Sequence, residues 1–311
     1  MALVLHDGQV GCGRLLEIAC APGLLLESLA SEQVVIVHVA KELKDAASIV
    51  SVVMEGVEQN KLSNDRINYK IEVTKAAGTE THTNVVQYCK ERSAHHGIRR
   101  WALGVGNTMA GKAIALGSIT KFILSQTDIM SQNEVWLLKH MGSTPKPHTP
   151  FTVVVLASLD GAGGKVKTLE QLPALQLALR RQRSTAGEKR LLRVVLVAAC
   201  APDANVQDDL RKLDIGLEAH FVEATTAAGG KSAPSAADAS GAEERVPFAT
   251  AIHIAGHIPT LNEAEAAVFI KTLLSTKMDL LVVPSTIAPA GSPSLQLLAA
   301  QPKVHVVVVP S

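Results

Sequence analysis

The chain has 311 residues, of which 47% are apolar and 19% are charged, so it can bury the cores of two ordinary domains. Thirty basic and 29 acidic side chains leave a formal net charge of +1, which disfavours a general nucleic-acid binder or a protein that lies on an anionic membrane surface. Aromatic residues make up only 3% of the chain, so few side chains are available to stack on bases. The composition predicts an aliphatic core of the kind found in parallel sheets.

Cysteine usage and the amino-terminal residues indicate a reducing compartment. The four cysteines form no C-x-x-C pair and show no zinc-ligand spacing. The first residues, MALVLHDG, lack the basic and long apolar segments of a signal peptide, and the longest apolar runs are shorter than the roughly 20 residues of a membrane-spanning helix. We therefore expect an intracellular protein in the cytoplasm.

Short β-branched runs alternate with amphipathic stretches in the first half of the chain, which is typical of a parallel α/β sheet. The predicted strands are Ala2–His6, Gln33–Val39, Ile67–Thr74, Ile98–Val105 and Glu134–His140. The predicted helices are Gly13–Ala30, Ala46–Lys61, Glu80–His95 and Ser118–Ser131.

The same alternation restarts after a proline-rich stretch. Pro145, Pro147 and Pro150 exclude a helix or a central strand, so residues 143–150 are predicted to be a linker. Beyond it, the predicted strands are Thr152–Ser158, Arg193–Cys200, Ala249–Ala255, Asp279–Val283 and Val304–Val309, and the predicted helices are Leu169–Arg183, Val206–Leu213, Asn262–Thr276 and Ser294–Ala300. We therefore predict a tandem duplication, with one domain at residues 1–142 and a second copy at residues 151–311. Residues 225–246 are rich in Ala, Ser and Gly and are predicted to form a disordered insertion.

The loop after the fourth strand is the best candidate for a binding site. Residues 104–119 read GVGNTMAGKAIALGSI. Glycines let a backbone come close to a ligand, and N–H groups at the start of a following helix attract phosphate. The stretch predicts a phosphate cradle, although an ordinary strand-to-helix turn has a similar composition.

This stretch resembles the universal stress protein family, whose nucleotide-binding members carry G-x-x-G, then nine residues, then G-S or G-T. The matching residues here are Gly104, Asn107 in place of the second glycine, Gly117 and Ser118. Asp7 at the end of the first strand is similar to the family's acidic residue that meets adenosine, and Val34–Ala40 is similar to its second strand. The resemblance covers residues 1–140 in order and spacing.

The resemblance implies both a fold and a function. It implies two doubly wound parallel five-stranded sheets of strand order 3-2-1-4-5, with ATP or another adenine nucleotide at the carboxyl ends of the first domain's strands. Asp7 would contact the adenosine moiety, the backbone near Val39 would line the adenine, and Mg²⁺ would enter with the phosphates. The residues expected to hold the phosphates are Gly104, Asn107, Gly117 and Ser118. No general base is placed for fast hydrolysis, so the nucleotide is expected to be a conformational ligand in a stress-response or regulatory protein.

The second copy is expected not to bind nucleotide in this way. Its corresponding stretch, Val283–Ser294, contains Pro284 and Pro289 and lacks the glycine spacing. Each proline removes an N–H that a phosphate would need. Asp160 takes the place of Asp7 but has no cradle beside it.

Two other functions stay open at this point. In an interaction module on the same scaffold, Asn107 and the second copy's prolines would have closed both sites, and the protein would act through its surfaces. In a P-loop-type NTPase, Gly106–Ala113 would be the phosphate loop with Lys112 as its lysine, although Ala113 replaces the Ser or Thr that holds Mg²⁺. The sequence indicates neither a catalytic group nor a metal held by protein side chains.

The two fifth strands are strongly apolar and would invite aggregation if they were bare edges. We therefore expect Val135–Leu138 and Val304–Val309 to pair with each other, so that one chain forms an intramolecular pseudo-dimer. The protein partner is not identified by the sequence, and further self-association stays open.

Overall fold

A computed structural model of the protein describes residues 2–6, 17–18, 24, 33–40, 47, 50–51, 54–55, 58, 68–75, 81–105, 116, 118–144, 146, 149, 151–158, 171–186, 192–199, 249–252, 278–301 and 303–311. Their strands are β1 (Ala2–His6), β2 (Gln33–Ala40), β3 (Asn68–Lys75), β4 (Arg100–Val105), β5 (Glu134–Lys139), β6 (Phe151–Ser158), β7 (Leu192–Ala199), β8 (Ala249–Ile252), β9 (Leu280–Pro284) and β10 (His305–Val309). Their helices are α1 (Thr81–His96), α2 (Ser118–Leu124), α3 (Thr127–Gln132), α4 (Pro173–Ala186) and α5 (Pro293–Ala299).

The described strands form one ten-stranded sheet in the order β3-β2-β1-β4-β5-β10-β9-β6-β7-β8. All neighbouring strands in it are parallel except β5 and β10, which are antiparallel. The predicted α/β fold with a mostly parallel sheet is therefore confirmed. Two five-stranded sheets were expected, and in the structure both sets of strands belong to one continuous sheet.

The expected pairing of the two apolar fifth strands is confirmed, and β5 together with β10 is called the seam below. Val306 lies opposite Leu137, Val307 opposite Trp136 and Val308 opposite Val135. From Val135 onward β5 is fully buried, and so is all of β10. The seam is thus the middle of the sheet rather than an exposed edge.

Both faces of the sheet are covered at the seam, because successive side chains of a strand point to opposite faces. On one face Val135 and Leu137 belong to the same buried cluster as Ile129 of α3 and Leu295 of α5. On the other face, the guanidinium of Arg181 in α4 lies over the Trp136 ring. Apolar residues on both faces explain why the central strands read as nearly continuous aliphatic runs.

The single helix expected over Ser118–Ser131 is two helices, α2 and α3, separated by Ser125 and Gln126. The Ser125 hydroxyl donates to the carbonyl of Phe122 at 2.7 Å, a local bond that competes with helix continuation. The Leu124 carbonyl accepts a hydrogen bond from the N–H of Gly291 at 2.9 Å. A continuous helix would give this carbonyl to the residue four positions later. The contact with the second half of the chain thus supports a break that the local pattern does not indicate.

Several other predictions are tested only in part. Gly97 follows α1 with φ of +63°, as expected for a glycine that ends a helix. Positions 47, 50, 51, 54, 55 and 58 are helical and exposed, which fits the solvent side of the predicted helix Ala46–Lys61.

The insertion at 225–246 and the predicted helices Val206–Leu213 and Asn262–Thr276 lie outside the described residues, and the domain boundaries stay a prediction. Within the described part of the chain, no helix has the length and apolar character needed to cross a bilayer.

Candidate functional site

The sheet order brings the candidate nucleotide residues of the first half toward one edge. β1 lies between β2 and β4 and is parallel to both, so the carboxyl ends of the three strands share an edge. Val39 is the penultimate residue of β2, and Gly104 is the penultimate residue of β4. Ser118 is the first residue of α2. The described residues do not include Asp7, Asn107, Gly117 or Lys112, but Asp7 follows the last residue of β1 directly in sequence.

This edge is also a topological switch point. From β1 the sheet continues to β2 and β3 on one side and to β4 and β5 on the other. Ligands of open α/β sheets bind in the crevice outside the carboxyl ends of the strands at such a point. β4 ends with Val105 at this crevice, and residues 106–115 that follow it lie outside the described part of the chain.

In the corresponding loop of the second half, Ser285–Ser292 after β9, backbone N–H groups donate hydrogen bonds to acceptors within the chain. The N–H of Ser285 donates to the carbonyl of Val309 at 2.8 Å, and that of Thr286 donates to the Ser311 hydroxyl at 2.9 Å. The N–H groups of Ile287 and Ala288 both donate to the carbonyl of Pro284, at 3.0 and 3.2 Å. A phosphate at this loop would have to displace bonds that are already formed, so we expect none to bind there.

The same loop instead joins the two halves. Ile287 and Ala288 are buried in the cluster that also contains Leu124 at the end of α2. Gly291 has φ of +74°, a left-handed conformation that glycine adopts without steric cost, and its N–H donates to the Leu124 carbonyl. Ser292 then caps α5, because its hydroxyl accepts the N–H of Leu295 at 3.2 Å.

Two buried polar side chains, Lys139 and His305, lie at one end of the seam. The backbone N–H of Lys139 donates to Nδ1 of His305 at 3.0 Å. Nδ1 is therefore the acceptor, which makes Nε2 the protonated nitrogen of a neutral ring. Nε2 donates to the Ser143 carbonyl at 2.8 Å. The ring thus links β5, β10 and the start of the connection between the two halves.

The Lys139 ammonium is buried without an opposite charge among the described residues. Its side chain is fully inaccessible, and Nζ donates to the Ala299 carbonyl at the end of α5. Burial lowers the pKa of Lys139 to about 7, because removal from water disfavours the charged form. At neutral pH this side chain is therefore close to half protonated.

A cation also lies on the other face of the seam, closer to the opposite end of β5. The Arg181 guanidinium is 5.4 Å from the centroid of the Trp136 ring, and one of its nitrogens is 4.0 Å from a carboxylate oxygen of Glu134. The indole N–H of Trp136 is 3.4 Å from the same carboxylate oxygen. Stacking and charge together stabilise an arginine that is almost completely buried.

Gly142 leaves the space in which the His305 ring lies. A Cβ at this position would come within 2.9 Å of Nδ1 and closer still to Cε1 and Nε2. We predict that Gly142→Ala lowers the free energy of unfolding by about 1–3 kcal/mol, the usual cost of overpacking a buried site. Urea denaturation would measure it, with the exposed neighbour Ser143→Ala as the control. In a His305→Ala background the cost should largely vanish, and an equal cost in both backgrounds would contradict the contact.

The sequence motifs and their spacing do not single out Lys139, His305, Gly142 or Arg181. A weak signal exists for the first two, since Lys139 ends and His305 begins a run of apolar strand residues, in the sequences VWLLK and HVVVV. Their partners are 160 and 166 residues away, too distant for any local pattern to reveal. Elsewhere in the described residues, no three His, Cys, Asp or Glu side chains are grouped so that they could hold a metal ion.

Comparisons with known proteins show a likeness of fold only. No family profile matches the chain, and no curated protein matches it. A solved structure of the cytoplasmic domain of a prokaryotic cation chloride cotransporter is similar over 99% of this chain and 93% of that chain, with a TM-score of 0.50 and 10% sequence identity. A structure from Burkholderia xenovorans, described as a short-chain dehydrogenase/reductase, covers 72% of this chain and 81% of its own, with a TM-score of 0.21 and 15% identity, and carries no argument about this one. At its level of identity, the cotransporter domain shows that the two chains share a fold.

Proposed function

We propose that this chain is a cytoplasmic regulatory domain that serves a cation chloride transport protein and consists of two tandem copies of a doubly wound unit of strand order 3-2-1-4-5. The observation that carries the proposal is the likeness to the cotransporter's cytoplasmic domain, which extends over nearly the full length of both chains. A match of that extent spans the residues of both halves of this chain. The single sheet fits this role, because its continuous middle fixes the two halves relative to each other.

The proposal predicts where the native protein is found and what it affects. An antibody raised against this chain should detect the protein in the membrane fraction of the cells that make it, either above 32.8 kDa or together with a separate transporter. Depletion of the protein should lower chloride-dependent uptake of rubidium, and reintroduction of the wild-type gene should restore it. Uptake in chloride-free medium is the control. A protein found only in the soluble fraction, with unchanged uptake after depletion, would contradict the proposal.

A second candidate function, binding of an adenine nucleotide, is favoured by the switch point of the first half. β1 is flanked by β2 and β4, and the candidate residues Asp7, Val39 and Gly104 follow or end these three strands. In this proposal Asp7 contacts the adenosine moiety and the loop from Gly104 to Ser118 holds the phosphates with Mg²⁺. The nucleotide would act as a conformational ligand of the regulatory domain. The backbone N–H groups of Ser285–Ala288 already donate hydrogen bonds within the chain, so the second half has no free cradle for a phosphate at this loop. We therefore expect one nucleotide site for each chain.

Calorimetric titration of nucleotide-stripped protein with ATP and Mg²⁺ tests this second proposal. We expect one site per chain, weakened about 10- to 100-fold by Asp7→Ala, because a hydrogen bond to a charged group contributes about 1.5–3 kcal/mol. Gly117→Val should abolish binding, since its side chain would fill the space that a phosphate needs. Lys112→Ala is the matched control and should change affinity less than about twofold.

Each outcome distinguishes a different function. Loss of binding in Lys112→Ala with retention in Asp7→Ala would favour the P-loop alternative and contradict the assignment of Asp7. Absence of binding in the wild-type protein would contradict the nucleotide proposal and favour an interaction module. The transport proposal is unaffected by either result, because its own test measures membrane association and ion uptake.

A further inference from the structure

Where the seam joins the two halves of the chain, the fold favours the uncharged forms of two buried side chains, Lys139 and His305. His305 accepts a hydrogen bond at Nδ1 from the N–H of Lys139. A protonated imidazole carries a hydrogen on both nitrogens, so it would point an N–H at another N–H and lose this bond. The Lys139 side chain runs through the same buried region to the Ala299 carbonyl. A carbonyl can accept from the neutral amine as well as from the ammonium, but only water or an anion would compensate the buried charge.

We propose that the seam is a pH-sensitive joint between the two halves, in which Lys139 and His305 take up protons more readily when β5 and β10 part than while the two strands are paired. Acidification then favours the parted state. The joint is independent of the transport and nucleotide proposals, since it concerns only the strands that hold the halves together.

The charged groups on neighbouring elements do not offset protons at this end of the seam in the described part of the chain. They are Arg100, Glu134, His140, Asp128, Arg180, Arg181, Asp279 and Lys303. Each of the three acids has partners of its own in the described residues. Glu134 is at the far end of β5 and faces the two arginines and Trp136, Asp128 pairs with Lys90, and Asp279 accepts the Thr152 N–H at 2.8 Å. The remaining groups are cations or a second imidazole, which would oppose a further positive charge rather than stabilise it.

The direction of the pH effect follows from proton binding in the two states. With the seam open, Lys139 returns toward its ordinary pKa of 10.5, whereas in the closed seam burial lowers its pKa to about 7. Between these values the open state binds more protons, so opening becomes more favourable by up to about tenfold for each pH unit of acidification. Below about pH 7 Lys139 becomes charged in the closed state as well, and it adds at most about a further twofold. Protonation of His305 then drives any additional opening.

Hydrogen exchange followed by mass spectrometry tests the joint in the full chain. After correction for intrinsic exchange rates, we expect the opening constant of the β10 amides to rise about 50-fold between pH 9 and pH 7. Lys139→Met, which keeps an apolar stem but cannot ionise, should show less than about a twofold rise over the same range. Lys121→Met removes an exposed lysine of α2 and should behave like the wild-type protein.

His305→Gln tests the second proton site, because a glutamine keeps one acceptor and one donor group but does not titrate. The wild-type opening constant should rise by more than about twofold below pH 7, whereas the rise for His305→Gln should stay within about twofold. Amides of β6 serve as the internal reference for unfolding of the whole protein. A β10 opening constant that does not change with pH, or that changes equally in Lys139→Met, would overturn the proposal. Equal constants and equal pH dependence in β10 and β6 would also overturn it, because Lys139 would then act only on global unfolding.

Discussion

Trp136→Ala is expected to lower the free energy of unfolding by about 4 kcal/mol, because removal of a fully buried indole leaves a cavity that the surrounding structure only partly fills. The substitution also removes the aromatic face beneath the Arg181 guanidinium, which lies 5.4 Å from the ring centroid. That cation would stay buried with less stabilisation, which adds to the cost. Urea denaturation followed by circular dichroism measures the effect.

Trp136→Phe separates the cavity from the stacking contact. It keeps an aromatic face for Arg181 but loses the indole N–H that lies 3.4 Å from Glu134, so its cost should be about 1 kcal/mol. The double variant Trp136→Ala with Arg181→Met should be less destabilised than the sum of the two single variants, because the buried cation is removed with its aromatic partner. If the free energy of unfolding of Trp136→Ala lies within 1 kcal/mol of the wild-type value, the indole is not buried in the seam.

Strand positions were largely predictable from the sequence, because runs of β-branched residues bounded by polar or glycine-containing segments leave few alternatives. The prediction Ala2–His6 coincides with β1, and Val304–Val309 exceeds β10 by one residue. The pairing of β5 with β10 was also predictable, since two bare aliphatic edges in one chain are best covered by each other. The pairing follows from the energetic cost of exposed valines and leucines rather than from any motif.

Features that depend on distant contacts were not predictable. The break between α2 and α3 depends in part on the Leu124 carbonyl, whose donor is Gly291. The sequence of Ser118–Ser131 alone shows only a helical pattern. Lys139 is a residue type expected at the surface, and its burial becomes understandable only when the end of α5 places the Ala299 carbonyl beside it. For the candidate nucleotide site, the sequence supplied residue types and spacing, while the sheet order supplied the shared edge of β1, β2 and β4.

Deletion of residues 304–311 should have the largest effect of all, because it removes β10 from the middle of the sheet. Val306, Val307, Val308 and Val309 are almost entirely buried. Burial of one valine side chain contributes about 1.5–3 kcal/mol, so the four together contribute about 6–12 kcal/mol. That is comparable with the whole stability of a typical domain. We therefore expect the truncated chain to lose cooperative unfolding.

The deletion also exposes the backbone and apolar side chains of β5, which then becomes a sheet edge and should drive aggregation. Size-exclusion chromatography and urea denaturation would detect both effects. Deletion of residues 310–311 is the matched control, since it leaves β10 whole and removes the contacts of the Ser311 hydroxyl with Ser285 and Thr286. That shorter deletion should cost about 1 kcal/mol and leave the protein monodisperse. A soluble protein with an unchanged denaturation midpoint after the longer deletion would mean that the two halves do not depend on the seam, and the pH-sensitive joint would then have no structural basis.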